Sequence, residues 1–317
     1  MTSTNAFDWD EEMGSASETP TLHPAERRES AAAPAGSTCL VCGGGYTPSR
    51  LPGLVQCTTC GFVSADLAIT DEELSALYGT DFFHGAAYRD YVAEEKSLRL
   101  NFQRRLAVLR RLVPGWSEAD LVEVGCAYGF FLDEVRDEVR SVRGIDISRE
   151  AVAYAVQERG LNAVQGDYLT HDTGDKVDVI AIWDTIEHLR RPDLVLHKAA
   201  EDLKPGGAVA LTTGDIGSLN ARLRGGSWRM IHPPIHLHYF SVATLSRLLD
   251  RCGFDVVHVS HPGNTRNLRS VLHFILALRM GRETLYKAMQ SWPIWDLRVT
   301  ANLFDIMYVV GRRRSAS

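Results

Sequence analysis

The chain lacks an apolar run long enough to cross a bilayer. Its longest apolar stretch, around residues 271–278, is short and is interrupted by His273, whereas a membrane helix needs about 20 apolar residues. The amino terminus also lacks a basic region followed by an apolar run, which is the pattern of a secretory signal. These absences predict a cytoplasmic protein without a membrane span.

Basic residues are too few for a general nucleic-acid binder. The 317 residues include 34 Lys and Arg against 40 Asp and Glu, which gives a net charge of −6. Binding to nucleic acid needs a basic field that displaces counterions from the phosphates. We therefore expect no nucleic-acid partner. Hydrophobic residues at 45% and charged residues at 23% are ordinary for a soluble globular chain.

The first 36 residues show no sustained apolar periodicity and are rich in Ser, Ala, Glu and Pro. Such a segment buries too little apolar surface to offset the entropic cost of ordering it. We predict a disordered tail over residues 1–36. A partner-binding motif around Phe7 and Trp9 is the alternative.

Four of the six cysteines form two CxxC pairs, Cys39 with Cys42 and Cys57 with Cys60. In a reducing compartment such pairs bind a metal more readily than they form disulfides. The short intervening segment suits a hairpin that brings both pairs to one tetrahedral ion. The spacing predicts a zinc ribbon over residues 37–66, in which Zn²⁺ is structural because sulfur atoms fill all four positions. Four thiols that only pack or stay free are the alternative.

The rest of the chain alternates between helix and strand patterns. Residues 67–115 are predicted to form a helical linker or cap, because apolar residues recur at spacings of three and four before Pro114. From residue 120 onward the alternation predicts right-handed crossovers and a doubly wound parallel sheet. The predicted strands are 120–125, 142–147, 163–166, 177–184, 208–213, 255–260 and 304–312. The predicted helices are 129–140, 148–159, 192–203 and 241–253, with a helical insertion over 264–300.

Arginines are frequent in the helical segment before Pro114. We expect them on its solvated flank, and a phosphate-binding role is the alternative. These residues are Arg99, Arg104, Arg105, Arg110 and Arg111.

A glycine turn with acidic flanks ends the first predicted strand. Glu123 precedes the turn that contains Gly125 and Gly129, at the strand end where open α/β sheets bind ligands. A carboxylate there repels a dinucleotide pyrophosphate but suits S-adenosylmethionine, which carries an ammonium and a sulfonium. Asp146 ends the second strand, where an acid binds ribose hydroxyls. Glu123 and the lack of a GxGxxG motif disfavour an NAD-dependent oxidoreductase.

Together these features resemble the class I S-adenosylmethionine-dependent methyltransferases, in the branch with an N-terminal four-cysteine zinc ribbon. The resemblance covers residues 37–313. It rests on the CxxC pairs and on YGTDFFHGAAYRDY, EVGCAYGFFLDE, GIDIS, WDTIEHLRRP, LKPGG, PPIHLHYFS and NLFDIMYVVGRR. It implies a Rossmann-like, mostly parallel seven-stranded sheet with an antiparallel last strand, formed by residues 116–317. Separately, the glycines, arginines and tryptophan after the fifth predicted strand predict a mobile lid loop over 217–235, whose arginines either bind an anionic acceptor group or are simply solvated. Ala127 departs from the family pattern, because it replaces a glycine in the first loop.

The resemblance also implies which residues contact the cofactor. The implied contacts are Glu123, Gly125, Cys126, Ala127 and Gly129 for the methionine part, Asp146 and Ile147 for the ribose and the adenine, Asp167 and Tyr168 for the adenine, and Trp183 and Asp184 near the sulfonium. For Trp183, plain core packing is an equal alternative.

Methyl transfer is a single displacement at the sulfonium carbon, so the enzyme mainly supplies alignment and a dry site. A hydroxyl or amine acceptor must also lose a proton, which suits a histidine poised near neutral pH. His236 and His188 are the candidate catalytic residues, and each can instead brace its own loop. With His232 and His238, His236 also invites a metal interpretation, but their spacings do not present three ligands to one point.

These observations predict a methyltransferase that uses S-adenosylmethionine and acts on a small-molecule acceptor. The resemblance favours O-methylation of a sugar, a nucleotide-sugar or a secondary metabolite. One alternative is a protein or RNA methyltransferase that uses the ribbon for recognition, although residues 37–66 contain only Arg50 as a basic residue. Another is a non-catalytic scaffold that keeps cofactor binding. The sequence leaves the acceptor and the oligomeric state open.

Overall fold

The computed structural model of the chain describes residues 38–67, 91–273, 276, 282, 286 and 297–315. The tail predicted over 1–36, nearly all of the YGTDFFHGAAYRDY segment and the middle of the insertion predicted over 264–300 lie outside these residues. Among the described residues, no helix combines the length and the apolar character that a membrane crossing requires.

Strands and helices alternate along the described chain. The strands are β1 (Tyr46–Pro48), β2 (Leu54–Cys57), β3 (Val63–Ala65), β4 (Asp120–Val124), β5 (Ser141–Asp146), β6 (Ala163–Gln165), β7 (Val177–Trp183), β8 (Leu203–Gly214), β9 (His238–Tyr239), β10 (Phe254–Ser260), β11 (Asn264–Asn267), β12 (Arg298–Ala301) and β13 (Ile306–Arg313). The α-helices are α1 (Glu95–Leu112), α2 (Phe130–Val135), α3 (Arg149–Gln157), α4 (Pro192–Asp202), α5 (Leu219–Arg224), α6 (Val242–Arg251) and α7 (Leu268–Leu272).

The main sheet has seven strands in the order β10-β13-β8-β7-β4-β5-β6. Strands β4 to β8 run parallel to one another in this sheet, whereas β13 is antiparallel to both β8 and β10. The predicted mostly parallel sheet with an antiparallel last strand is therefore confirmed. The strand order reverses between β4 and β7, and open α/β sheets bind ligands in the crevice at such a reversal.

Helix α6 shows how the local sequence determines an element of this fold. The Ser241 side chain accepts a hydrogen bond from the Thr244 N–H, and the Thr244 hydroxyl accepts one from the Ser241 N–H, which forms a capping box. Leu245, Leu248 and Leu249 are buried on one face of the helix, because spacings of three and four place them together.

Some predicted bounds are wrong. The helix predicted over 129–140 ends at Val135, because the chain then turns to bring the Arg140 N–H onto the Ala119 carbonyl. The insertion predicted as helical over 264–300 begins and ends with strands, β11 and β12, which pair antiparallel. Strand β8 begins at Leu203, directly after α4.

A second, smaller sheet has the order β1-β2-β3-β9. Strand β9 comes from the carboxyl-terminal half of the chain and pairs antiparallel with β3. Phe62, next to β3, lies 5.1 Å between ring centroids from Phe240, and Phe62 belongs to the same buried apolar cluster as Val122 of β4. The small sheet is thus joined to the main sheet by a shared core and by a strand that the sequence did not predict.

The segment predicted as a lid, residues 217–235, is attached to the main sheet at Asp305. Trp228 Nε1 donates a hydrogen bond to the Asp305 carboxylate at 2.9 Å, Asn220 Nδ2 donates one at 2.6 Å, and the Arg229 guanidinium contacts both oxygens. Burial opposes ionisation of Asp305, but Arg229 and Trp228 hold its pKa below the usual range. The buried Asp305 carboxylate therefore fixes this segment at three of its side chains.

We expect Asp305→Ala to lower the free energy of unfolding by about 1–3 kcal/mol, because it leaves the buried Trp228 N–H without its acceptor. The matched control is Asp255→Ala, which removes an exposed ion pair with Arg314 and should cost much less. Chemical denaturation followed by circular dichroism measures both losses. Equal losses for the two variants would contradict the importance of the buried Asp305 carboxylate.

Candidate active site

The first loop, between β4 and α2, requires backbone conformations that favour glycine. Gly125 has a φ of +77°, and a Cβ at this position would lie 2.5 Å from Thr185 Oγ1. Ala127 also has a positive φ, +45°, which costs a residue with a Cβ roughly 1–2 kcal/mol. The replacement of glycine by Ala127 therefore leaves the loop conformation in place, at an energetic cost.

Asp146 connects this loop to the ends of β5 and β6. Its Oδ2 accepts a hydrogen bond from the Ala127 N–H at 2.8 Å, and its Oδ1 accepts one from the Ser148 N–H at 2.8 Å. Its backbone carbonyl accepts one from the Gly166 N–H at 2.9 Å. Burial raises the pKa of Asp146. Because a carboxylate has about four acceptor sites, Asp146 can hold the loop and still accept a hydrogen bond from a ligand hydroxyl.

Glu123 lies beneath the same loop and is only 2% exposed. Its Oε2 has no hydrogen-bond partner among the described residues. Burial and the charge of Asp146 raise the pKa of Glu123 well above its usual value, while Arg105 opposes this shift. A buried carboxyl group without a partner is costly, and a cationic ligand would satisfy it.

The residues predicted to contact adenine lie in different surroundings. Ile147 is 45% exposed and presents an apolar surface beside Asp146. Asp167 is exposed, and its Oδ1 accepts a hydrogen bond from Leu169 N–H at 2.9 Å. Tyr168 is buried, and its hydroxyl donates to Asp202 Oδ2 at 2.7 Å. The structure thus places Ile147 and Asp167 at the surface and Tyr168 in the core. The contacts of these three residues with adenine stay predictions.

Trp183 is also part of the core. It is 5% exposed and packs edge-to-face against Phe131 and Tyr308, with ring centroids 5.2 and 5.5 Å away. Cys126, in the first loop, is buried as well. These contacts match the core-packing alternative for Trp183, and its place beside a sulfonium stays a prediction.

Asp184 follows β7 with a φ of +48°. Arg105 Nη2 donates to its Oδ2 at 2.8 Å, and Thr212 Oγ1 donates to its Oδ1 at 3.0 Å. Burial opposes ionisation of Asp184, but Arg105 outweighs this and lowers its pKa. The expectation that Arg105 lies on a solvated helix flank is therefore wrong, because it is 7% exposed. Helical spacing distinguishes Arg105 from the other arginines of α1, because it lies three residues after Phe102 and four before Leu109, on the buried face.

His236 and His188 come from different loops and meet beside Glu187. Their ring centroids are 4.7 Å apart, and one ligand atom from each of the three residues lies within 4.8 Å of the others. Both rings place Nδ1 against a backbone carbonyl, at 2.9 Å from Ile235 for His188 and 2.6 Å from Met230 for His236. The sequence predicted both histidines but not Glu187, since the segment WDTIEH gives no sign that this acid is buried.

Burial determines the ionisation of this cluster. It lowers the pKa of His236 and that of His188 to about 4, so both imidazoles are neutral at pH 7. The expectation of a histidine poised near neutral pH is therefore wrong. Burial raises the pKa of Glu187 to about 7. The cluster thus combines two neutral imidazoles with one buried carboxyl group.

His232 and His238 lie outside the cluster of Glu187, His188 and His236. His238 lies in β9, where its Nδ1 is 3.1 Å from Ser64 Oγ and its ring centroid is 5.5 Å from that of Phe62. The centroid of the His232 ring is 6.4 Å from that of His236. The His238 side chain therefore links β9 to β3 within the small sheet.

The four paired cysteines converge at one end of the small sheet. Sγ of Cys39 lies 3.6 Å from Sγ of Cys60, and Sγ of Cys42 lies 3.5 Å from Sγ of Cys57. A tetrahedral zinc ion with Zn–S bonds of about 2.3 Å requires sulfur atoms about 3.8 Å apart. Backbone N–H groups two residues after Cys42 and Cys57 also donate to these sulfur atoms at 3.4 Å, which favours thiolates. The residues fit a zinc ion.

The reversed strand order, the glycine turn after β4 and the acid at the end of β5 define a Rossmann-like ligand-binding domain. Residues 95–259, which are more than half of the chain, match the family described as "Methyltransferase domain". The chain belongs to this family. Because the match begins at residue 95, it includes α1, which the sequence assigned to a linker or cap.

Curated relatives are similar over part of their length. A "Probable S-adenosylmethionine-dependent methyltransferase" from Mycolicibacterium smegmatis is 27% identical over 157 residues, which cover 49% of this chain and 59% of that protein. A "Ubiquinone biosynthesis O-methyltransferase" from Azoarcus sp. is 29% identical over 108 residues, which cover 31% of this chain and 46% of that protein. The chain spans about half the length of the curated relatives it matches.

A solved structure shares the fold. The crystal structure of magnesium protoporphyrin IX methyltransferase from Synechocystis PCC 6803, with bound SAH, aligns with 77% of this chain and 100% of that chain. The TM-score is 0.51 and the sequence identity is 13%. At this identity the likeness shows the fold alone, and it agrees with the Rossmann-like architecture expected from the sequence.

Proposed function

We propose that this protein transfers the methyl group of S-adenosylmethionine to a small-molecule acceptor. The proposal rests on the two acids at the crevice, Glu123 with an unpartnered buried oxygen and Asp146, which binds the first loop at the end of β5. A buried carboxylate suits the cationic methionine end of this cofactor, and the second acid suits its ribose hydroxyls. Membership of the methyltransferase family supports the same function.

The cofactor would occupy the crevice above β4, β5 and β7 and would supply an electrophilic methyl group. The proposed contacts are Glu123, Gly125, Cys126, Ala127 and Gly129 for the methionine part, Asp146 and Ile147 for the ribose and adenine, Asp167 and Tyr168 for the adenine, and Trp183 and Asp184 near the sulfonium. The exposed apolar surface of Ile147 supports its role beside the adenine ring.

The acceptor would bind beside His236 and His188, which are the proposed catalytic residues. The turn that carries His188 begins at Thr185, and Thr185 lies against Gly125 of the first loop, so this cluster adjoins the proposed cofactor site. A hydroxyl acceptor must lose its proton during transfer, and two neutral imidazoles can promote that loss. We favour O-methylation of a sugar, a nucleotide-sugar or another small metabolite.

We further propose that Cys39, Cys42, Cys57 and Cys60 hold one structural zinc ion, which makes residues 37–66 a zinc ribbon. The support is the spacing of the four sulfur atoms and the two N–H groups that donate to them. A sheet of this size has little apolar core of its own, and the ion would replace that missing stability.

Binding of S-adenosylmethionine should release a proton. The raised pKa of Glu123 favours its protonated form in the free protein, whereas a bound ammonium group favours the carboxylate. Affinity should therefore increase as the pH rises through the range in which Glu123 of the free protein ionises. Calorimetry in two buffers of different ionisation enthalpy measures the proton release, and Glu123→Gln should remove most of it. Binding with the same heat in both buffers would contradict this role for Glu123.

His236→Ala should lower the single-turnover rate about 10²–10⁴-fold, because the acceptor loses the group that promotes departure of its proton. The affinity for S-adenosylmethionine should stay near that of the parent. The acceptor for this assay is first identified by screening sugars and nucleotide-sugars for transfer of a radiolabelled methyl group from the cofactor. The matched control is His197→Ala, on the exposed face of α4. A rate within a few-fold of the parent would show that His236 only shapes its loop.

Elemental analysis of protein purified without chelator should find about one zinc per chain at the four cysteines. The Cys57→Ser variant should contain no zinc at this site, and its small sheet should unfold more easily than that of the parent. Cys252→Ser, at a buried cysteine outside the CxxC pairs, should retain it. Metal-free parent protein would contradict the proposed ribbon.

A further inference from the structure

We propose that Glu187, His188 and His236 bind a divalent transition-metal ion, and that the acceptor hydroxyl occupies one of its remaining coordination positions. The proposal has two parts. The binding of an acceptor hydroxyl to the metal rests on the proposed function and explains how the two histidines act on the acceptor. The metal site can be tested without any methyl transfer.

The three side chains are brought together by backbone contacts between two loops. Glu187 and His188 lie in the turn after β7, and His236 lies in the loop before β9. The Leu237 N–H donates to the Glu187 carbonyl at 2.9 Å, which joins the loops beside the cluster. One ligand atom from each of the three side chains lies within 4.8 Å of the others. A single ion can therefore contact all three.

The imidazoles are oriented as metal ligands usually are. Nδ1 of His188 lies 2.9 Å from the Ile235 carbonyl, and Nδ1 of His236 lies 2.6 Å from the Met230 carbonyl. A carbonyl accepts but cannot donate, so a hydrogen on Nδ1 satisfies each of these two contacts, and the tautomer that carries it there has its lone pair on Nε2. Hydrogen bonds of this kind fix the tautomer and the ring direction of histidines that bind metals.

Glu187 supplies the negative charge. It is 2% exposed, and its Oε2 has no hydrogen-bond partner among the described residues. Arg105, the cation placed near Glu123 and Asp184, is already paired with Asp184 at 2.8 Å. A buried carboxyl group that lacks a positive partner is unfavourable. A bound cation would remove this cost.

Two imidazoles and one carboxylate are a donor set for Zn²⁺, Mn²⁺, Fe²⁺ or Co²⁺ that leaves coordination positions open. It differs from the four cysteines, which close all positions of their ion. A hydroxyl bound at an open position becomes more acidic. Its proton then passes to water, its oxygen forms the bond to the methyl carbon, and the carbon–sulfur bond breaks to leave a neutral thioether.

The test is a titration of the full-length chain with Mn²⁺, followed by electron paramagnetic resonance, in the absence of cofactor and acceptor. Mn²⁺ is chosen because it prefers oxygen and nitrogen ligands to thiolates, so the four cysteines do not compete for it. We expect one Mn²⁺ per chain. Glu187→Gln and His236→Asn should each weaken binding at least about tenfold, and His197→Ala should leave it unchanged. Thermal unfolding confirms that the variants are folded.

Two results would overturn the proposal. One is a parent protein that does not bind Mn²⁺. The other is a pair of folded Glu187 and His236 variants with the parent's affinity. The catalytic part is tested separately, by a mild chelation that removes Mn²⁺ but leaves the ribbon zinc. Full methyl transfer after chelation would refute the metal's role and leave the proposed function standing. Mn²⁺ binding without methyl transfer to any acceptor would uphold the site and count against the proposed function.

Discussion

The carboxylate of Asp146 is the group on which the crevice depends. It accepts hydrogen bonds from Ala127 of the first loop and from Ser148 at the start of α3. Ala127 has a left-handed conformation that is unfavourable for alanine, and the bond to Asp146 offsets this cost. A residue predicted from its position to bind a ligand is therefore also the support of the neighbouring loop. The two roles are compatible because they use different lone pairs of the same oxygens.

The opposite side of the crevice depends on the small sheet. Ala65 N–H donates to the Leu237 carbonyl at 2.9 Å, and Leu237 N–H in turn donates to the Glu187 carbonyl. The Tyr239 hydroxyl donates to the His236 carbonyl at 3.0 Å. The histidine loop is thus bound on one side to the cysteine-containing sheet and on the other to the turn after β7. Backbone hydrogen bonds therefore connect the small sheet to the histidine loop and to the turn after β7.

Much of the fold was predictable because it depends on local patterns. Apolar periodicity located the main strands, and the CxxC spacing located the sulfur cluster. The prediction placed Arg105 on the solvated flank of α1, although its spacing from Phe102 and Leu109 puts it on the apolar face. Its ion pair with Asp184 comes from tertiary packing, which the sequence does not show. The sequence did not show β9, since two residues carry too little pattern. It also missed the lowered pKa of His236 and the part played by Glu187, because both follow from burial.

Methyl transfer requires the cofactor and the acceptor to be aligned, so the contact between the two halves of the crevice matters most. That contact is the one between Gly125 in the first loop and Thr185 in the turn that carries Glu187 and His188. A Cβ on Gly125 would come within 2.5 Å of Thr185 Oγ1, so the absence of a side chain sets how closely the halves approach. The glycine therefore serves two purposes, the left-handed turn of its own loop and the close approach of that loop to the turn that carries Glu187 and His188.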